Sequence, residues 1–162
     1  TVGVGEDFVI GSHQIPVAAD IYERDLVFDE KVEAIVLPGG MPGTLNLEKS
    51  PVVQKAIDWA VENDKLVCAI CAAPVIVLSP LGILKNKNFT CYPSMENDFA
   101  EFAGNNWEEK VLGSVHHTEN VVIDGNLITS RGAGTALDFS FAIIQALCGK
   151  EIMEQVKKSI VA

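Results

Sequence analysis

Basic residues are scarce in this chain. Twelve Lys and Arg stand against 22 Asp and Glu, for a net charge of -10 at pH 7. No stretch concentrates Lys and Arg, which argues against a nucleic-acid partner. Long apolar runs are absent too: none approaches the roughly 20 residues that span a bilayer. No signal-peptide pattern opens the chain, and a membrane partner is not expected. Cysteines number four in 162 residues, too few for a disulfide scaffold. Cys68, Cys91 and Cys148 each sit among apolar neighbours and read as buried free thiols. A reducing, cytoplasmic setting is the expectation. Repeats, low-complexity segments and linkers are lacking, so residues 1–162 read as one domain. Gly132-x-Gly134 lacks the third glycine of a dinucleotide fingerprint, and no cofactor is assigned.

The other half of the composition is core material: 48% of residues are apolar, ordinary for a globular domain. Strand-like and helix-like segments alternate. Thr1 to Val4 and Gln14 to Ala18 are short β-like runs. Ala34-Ile35-Val36-Leu37 is a continuous apolar run ending at Pro38-Gly39-Gly40, the pattern of a strand buried on both faces. Ser50-Pro51 opens a helix, with Ser as N-cap and Pro at the first helical position. Its apolar face is Val53, Ala56, Ile57, Ala60 and Val61. Leu66 to Ile70 is a second buried strand, followed by a helix from about Ala72 that stops near Pro80 and Gly82. Phe89 to Tyr92 reads as a short strand and Met95 to Phe102 as a helix. Val121 to Thr129 reads as a hairpin turning at Asp124-Gly125. A helix from Ala136 to Cys148 ends at Gly149, and a last one takes in Glu151 to Lys158. The alternation predicts an α/β fold with a mainly parallel sheet.

The stretch Leu66-Val67-Cys68-Ala69-Ile70-Cys71-Ala72-Ala73-Pro74 carries a CxxC pair. A thioredoxin-like redox site needs both cysteines in one helical turn, and here Cys68 falls inside the strand. Three residues of strand span about 10 Å, beyond the roughly 7 Å that a disulfide allows between Cα atoms. A zinc site wants further ligands at matching spacing, but Cys91 and Cys148 stand alone and His116-His117 lie far along the chain. No metal is assigned. Two readings of Cys71 stay open on this stretch. One is a buried small hydrophobe. The other is a nucleophile elbow, in which a buried strand ends, the chain turns at Cys71 and a helix starts at once. An elbow puts the sulfur at a helix N-terminus, where dipole and free N–H groups favour thiolate.

Two other loops belong beside it. Pro38-Gly39-Gly40-Met41-Pro42-Gly43 follows a buried strand, and parallel strand ends converge on one edge where ligands bind. Such a turn is either a simple tight turn or an anion cradle of backbone N–H groups. In Ser130-Arg131-Gly132-Ala133-Gly134-Thr135, Thr135 and Asp138 have capping-box spacing. Arg131 is placed to pair either an anion near the site or a surface carboxylate. His116 and His117 alternate across a strand, so at most one faces inward, and a surface or packing role is expected for both.

"VLPGGMPG", "AICAAP" and "ITSRGAGTALDFSFAIIQALCGKE", in this order, resemble the ThiJ/PfpI superfamily. Within it, the resemblance is to the branch of the Parkinson-disease-associated protein deglycase and its bacterial relatives. It implies a flavodoxin-like three-layer sandwich and a homodimer. It implies Cys71 as the reactive cysteine and an oxyanion hole from the backbone N–H groups of Gly40 and Ala72; Gly39, Tyr92 and Arg131 are candidate pocket residues. It implies glyoxalase or deglycase chemistry on methylglyoxal-type carbonyls, a role in oxidative-stress defence, and chaperone-like behaviour. Some members carry names from thiamine (thiazole phosphate) biosynthesis. The chain departs from the pattern in three places. Ala72 stands where the protease branch has His. Tyr92 stands before Pro93 where some members have His. The family's first strand and helix, with a glutamate that bonds the cysteine, have no counterpart ahead of Thr1; Glu6, Glu23 and Glu30 lie in other contexts. The expectation is therefore a longer natural polypeptide.

The leading functional expectation is a cysteine-dependent enzyme acting on a small reactive carbonyl. The alternatives are a redox-sensing or chaperone-like protein with an oxidisable Cys71 and, third, a cysteine hydrolase or amidase, which needs a Cys–His pair.

Overall fold

The computed structural model describes residues 1–5 and 8–162; Glu6 lies outside the described residues. The strands among the described residues are β1 (Val2–Gly3), β2 (Val9–Ile10), β3 (Pro16–Val17), β4 (Ile21–Tyr22), β5 (Ala34–Leu37), β6 (Leu66–Ile70), β7 (Asn88–Phe89), β8 (Val115–His116), β9 (Val121–Asp124) and β10 (Leu127–Ser130). The helices are α1 (Gly43–Lys49), α2 (Pro51–Glu62), α3 (Phe99–Phe102), α4 (Trp107–Lys110), α5 (Ala136–Cys148) and α6 (Lys150–Ser159). The central sheet has the order β5-β6-β10-β9. β5, β6 and β10 run parallel and β9 runs antiparallel. The two-stranded pairs β1–β4 and β7–β8 are parallel, and β2–β3 is antiparallel.

The layers follow from the two-residue period of a strand. Val67 and Ala69 of β6 face one core with Leu37, Ile57, Ala60 and Leu127. Cys68 faces the other, with Ile128 and Phe139 and with Leu66 and Ile70 beside it. Helix α2 covers the first face and α5 the second, giving the flavodoxin-like sandwich. Ser50 caps α2 as its sequence demands, its hydroxyl accepting from the Val53 N–H at 3.4 Å. Between β6 and β7 the chain makes a wide π-type turn at Pro74–Leu78, with every residue of it buried. An Asp124 carboxylate oxygen accepts from the Asn88 N–H at 2.8 Å. Asn88, and after it Lys87, hold this carboxyl below the usual range.

Several expectations need correction. β5 is not buried on both faces: Ala34 and Ile35 are half-buried and Val36 is 50% exposed. It is the edge of the central sheet, and α5 lies over β10, β6 and β9 instead. Val61 is exposed at the last turn of α2. Cys148 is exposed, because α5 turns its final turns outward. The hairpin turns at Gly125-Asn126, since Asp124 pairs with Leu127. Gly125 takes φ +62° at the first central position. The Phe89–Tyr92 run is strand only at Asn88–Phe89, and the Met95–Phe102 segment splits into a 3₁₀ turn and the short α3.

Candidate functional site

β5, β6 and β10 end side by side: Leu37 pairs with Ala69, and Ile70 with Ser130. Their following loops therefore meet at one sheet edge. Cys71 is the first residue after β6, and its φ is +66°. A non-glycine residue in this left-handed region is strained, as expected of an elbow. The surrounding backbone holds it there. The Cys71 N–H donates to the Ser130 carbonyl at 2.9 Å, and its carbonyl accepts from the Tyr92 N–H at 2.9 Å. Helical turns begin at once, with the Ile76 N–H donating to the Ala72 carbonyl.

The small residues nearby have spatial reasons. A Cβ on Gly39 would press on the Cys71 Cβ and stand 2.8 Å from the Ile70 carbonyl oxygen and 3.2 Å from the Cys71 Sγ. Gly40 has φ +92°. Its carbonyl accepts from both the Thr44 N–H (2.9 Å) and the Thr44 hydroxyl (2.6 Å). Thr44 is fully buried, so α1 anchors this turn. Among the described residues, neither the Gly40 nor the Ala72 N–H donates a hydrogen bond. Gly39→Ala is expected to cost roughly 1–3 kcal/mol of stability, since the blocking atoms include backbone. Urea denaturation of the wild type and the variant checks it.

Tyr92 and Arg131 come together in a shallow cleft of about 340 Å³, with Pro93, Gly132 and Thr135 in its wall. Thr135 does not form a capping box with Asp138. Its hydroxyl donates to the Gly132 carbonyl at 2.9 Å and accepts from the Gly132 N–H at 3.1 Å, while Asp138 accepts from Asn120. The threonine thus shapes the Arg131 loop rather than capping α5. A larger cleft of about 480 Å³ lies at the opposite end of the strands, by Lys65, Lys87 and Gly125.

The four cysteines are free thiols with different surroundings. Cys68 is fully buried on the α5 face, and burial pushes its thiol up to about 12. Cys91 is also fully buried. Burial first, then the Glu96 carboxylate beside it, push its thiol up to about 12. Cys71 is half-buried. The histidines separate as their alternation requires. His116 packs on the Phe89 ring and turns to Glu96. His117 bonds the Asn88 side-chain oxygen at 2.7 Å. The grouping of Cys91, Glu96 and His116 has no signal in the sequence, because three separate segments bring it together.

A half-buried cysteine at a left-handed strand-to-helix turn, on the carboxyl edge of a parallel sheet, defines an α/β sandwich with a cysteine at a strand-to-helix elbow. Comparison with known proteins sharpens that class: the DJ-1/PfpI family profile matches residues 1–146. The chain belongs to this family. It is 34% identical to Protein DJ-1 homolog B of Arabidopsis thaliana, over 93% of this chain and 32% of that protein, so it spans about a third of that relative's length. It is 30% identical to the Glutathione-independent glyoxalase DJR-1.2 of Caenorhabditis elegans, over 89% of this chain and 70% of that one. The crystal structure of Drosophila melanogaster DJ-1beta superposes with a TM-score of 0.81 at 32% identity, over 96% of this chain and 77% of that chain.

Proposed function

We propose that this protein is a cysteine-dependent enzyme of the glyoxalase or deglycase type, acting on methylglyoxal-like carbonyls in oxidative-stress defence. One observation carries the reading. Cys71 stands at φ +66° at the start of helical turns, and among the described residues the N–H groups of Gly40 and Ala72 donate no hydrogen bond and are free to serve an oxyanion in this reading. The name of the nematode relative supports it. In this reading the Cys71 thiolate adds to the aldehyde carbon, and the carbonyl π electrons pass to oxygen. The oxyanion of the hemithioacetal takes the two free N–H groups. Transfer of hydrogen from the former aldehyde carbon to the neighbouring ketone carbon gives a thioester of a 2-hydroxy acid. Water then cleaves the thioester, releasing the acid and the thiol. The substrate is oxidised at one carbon and reduced at the next, so no external oxidant or reductant enters.

Tyr92 and Arg131 line the cleft of about 340 Å³ formed by the loop after β10 and contact the substrate in this proposal. A homodimer in a reducing cytoplasm completes the reading. The homodimer comes from the family resemblance; four free cysteines fit the compartment. Among the described residues no helix is long and apolar enough to cross a membrane. The amidase alternative draws no support from the histidines, which engage Glu96 and Asn88. The test is incubation of the purified protein with methylglyoxal in the absence of glutathione, with product followed by NMR. A 2-hydroxy acid is the expected product. No product would overturn the enzyme reading in favour of a redox-sensing or chaperone-like role for Cys71.

A further inference from the structure

We propose that Cys91, Glu96 and His116 form a three-ligand site for zinc(II), with the fourth coordination position open to water or a ligand. Their Sγ, carboxylate oxygen and Nδ1 all lie within 4.8 Å of one another. The Cys91 Sγ stands 3.9 Å from one Glu96 oxygen, and the His116 Nδ1 stands 3.9 Å from the other. Tetrahedral zinc with bonds of about 2.0–2.3 Å separates its ligands by roughly 3.3–3.8 Å. With one Glu96 oxygen as donor, one pair must close by well under 1 Å and the others by up to about 1.5 Å to reach that geometry. The donors are one sulfur, one nitrogen and one oxygen, a mixture that suits zinc and not magnesium or calcium.

The backbone already fixes each ligand. Cys91 lies between Thr90, whose N–H donates to the Thr129 hydroxyl, and Tyr92, whose N–H donates to the Cys71 carbonyl. Glu96 sits in the turn closed by the Asp98 N–H on the Met95 carbonyl. His116 is paired in β8 against Phe89, and the following His117 N–H donates to the Phe89 carbonyl. Charge balance also fits. A thiolate, a carboxylate and a neutral imidazole around a divalent cation sum to zero. The partly buried cluster therefore ends neutral, with the thiol proton released on binding. The net charge of -10 favours cation uptake. One peptide bond beyond Cys91, Tyr92 is tied to Cys71, so occupancy stiffens the wall of the candidate active site.

The test uses the whole protein, stripped with chelator and titrated with cobalt(II), whose thiolate charge-transfer absorption reports sulfur ligation. The expected result is one cobalt per chain, with the band abolished in Cys91→Ser and retained in Cys71→Ser. Glu96→Gln and His116→Ala, at partly exposed positions, are each expected to weaken cobalt binding by at least about tenfold. Added zinc is expected to bleach the band. A band that is missing, that survives Cys91→Ser, or that disappears in Cys71→Ser overturns the proposal. Should Cys91→Ser not fold, unchanged cobalt affinity in both other variants does the same.

Discussion

Cys71→Ala is expected to lose methylglyoxal turnover by at least about a thousandfold, the order seen when a nucleophile is removed from a preorganised site. The loss falls on turnover because the N–H groups of Gly40 and Ala72 belong to the backbone and remain. A companion variant separates chemistry from conformation. At φ +66° any residue with a Cβ meets its own carbonyl, at a cost of roughly 1–2 kcal/mol that glycine escapes. Alanine and glycine both lack sulfur, so comparing them removes the packing of the thiol from the balance. Cys71→Gly is therefore expected to be more stable than Cys71→Ala by about 1 kcal/mol, and equally inactive. Urea midpoints measure the first statement and product formation the second. Equal stabilities would mean that the elbow stores no strain, and retained turnover in either variant would remove Cys71 from the chemistry.

The pairing of strain with a reactive group explains which parts of the fold were legible in the sequence. The elbow was legible because it combines two strong local signals: a buried apolar strand at Leu66–Ile70 and an immediate helical start at small residues. The N-cap Ser50 and the Gly149 terminator of α5 were legible for the same reason, each being a local backbone demand. Burial was less legible, because it depends on what lies above a residue. Val36 and Cys148 belong to apolar runs as strongly as Val67 and Cys68 do. Yet β5 stands at the edge of the sheet, and the end of α5 points to solvent. The hairpin slipped by one residue because Asp124 serves the ladder: its carboxylate holds Asn88, so the turn falls to Gly125 and Asn126. Thr135 and Asp138 had the right spacing for a box, but each has a nearer partner, Gly132 and Asn120. Spacing could not reveal the Cys91–Glu96–His116 cluster at all, since only the β7–β8 pairing brings His116 beside the other two.

Hydrogen peroxide is expected to oxidise Cys71 before the other three cysteines and to stop at the sulfinate. Accessibility removes two competitors. Cys68 and Cys91 are fully buried, and burial pushes both thiols up to about 12. Both are therefore held as thiols at neutral pH, and peroxide attacks the thiolate. The contest is therefore between half-buried Cys71 and exposed Cys148. Cys148 is the last residue of α5, where the final turn offers carbonyl groups and no free N–H donors to the oxygens of a sulfinate. Cys71 starts a run of helical turns, and among the described residues the N–H groups of Gly40 and Ala72 donate no hydrogen bond. Those donors are available to the oxygens that a sulfinate adds, and anionic oxygens with fixed donors are held strongly. Further oxidation needs a third oxygen, and the Gly39 backbone packed against the sulfur leaves little room for it. The measurement is a peroxide titration of the native protein with residue-level mass spectrometry, repeated in urea. Two oxygens on Cys71 at low peroxide, with Cys68 and Cys91 reacting only after unfolding, is the expected pattern. Oxygen on Cys148 first would show that exposure alone sets the order, and the elbow would lose its claim to be an activated site.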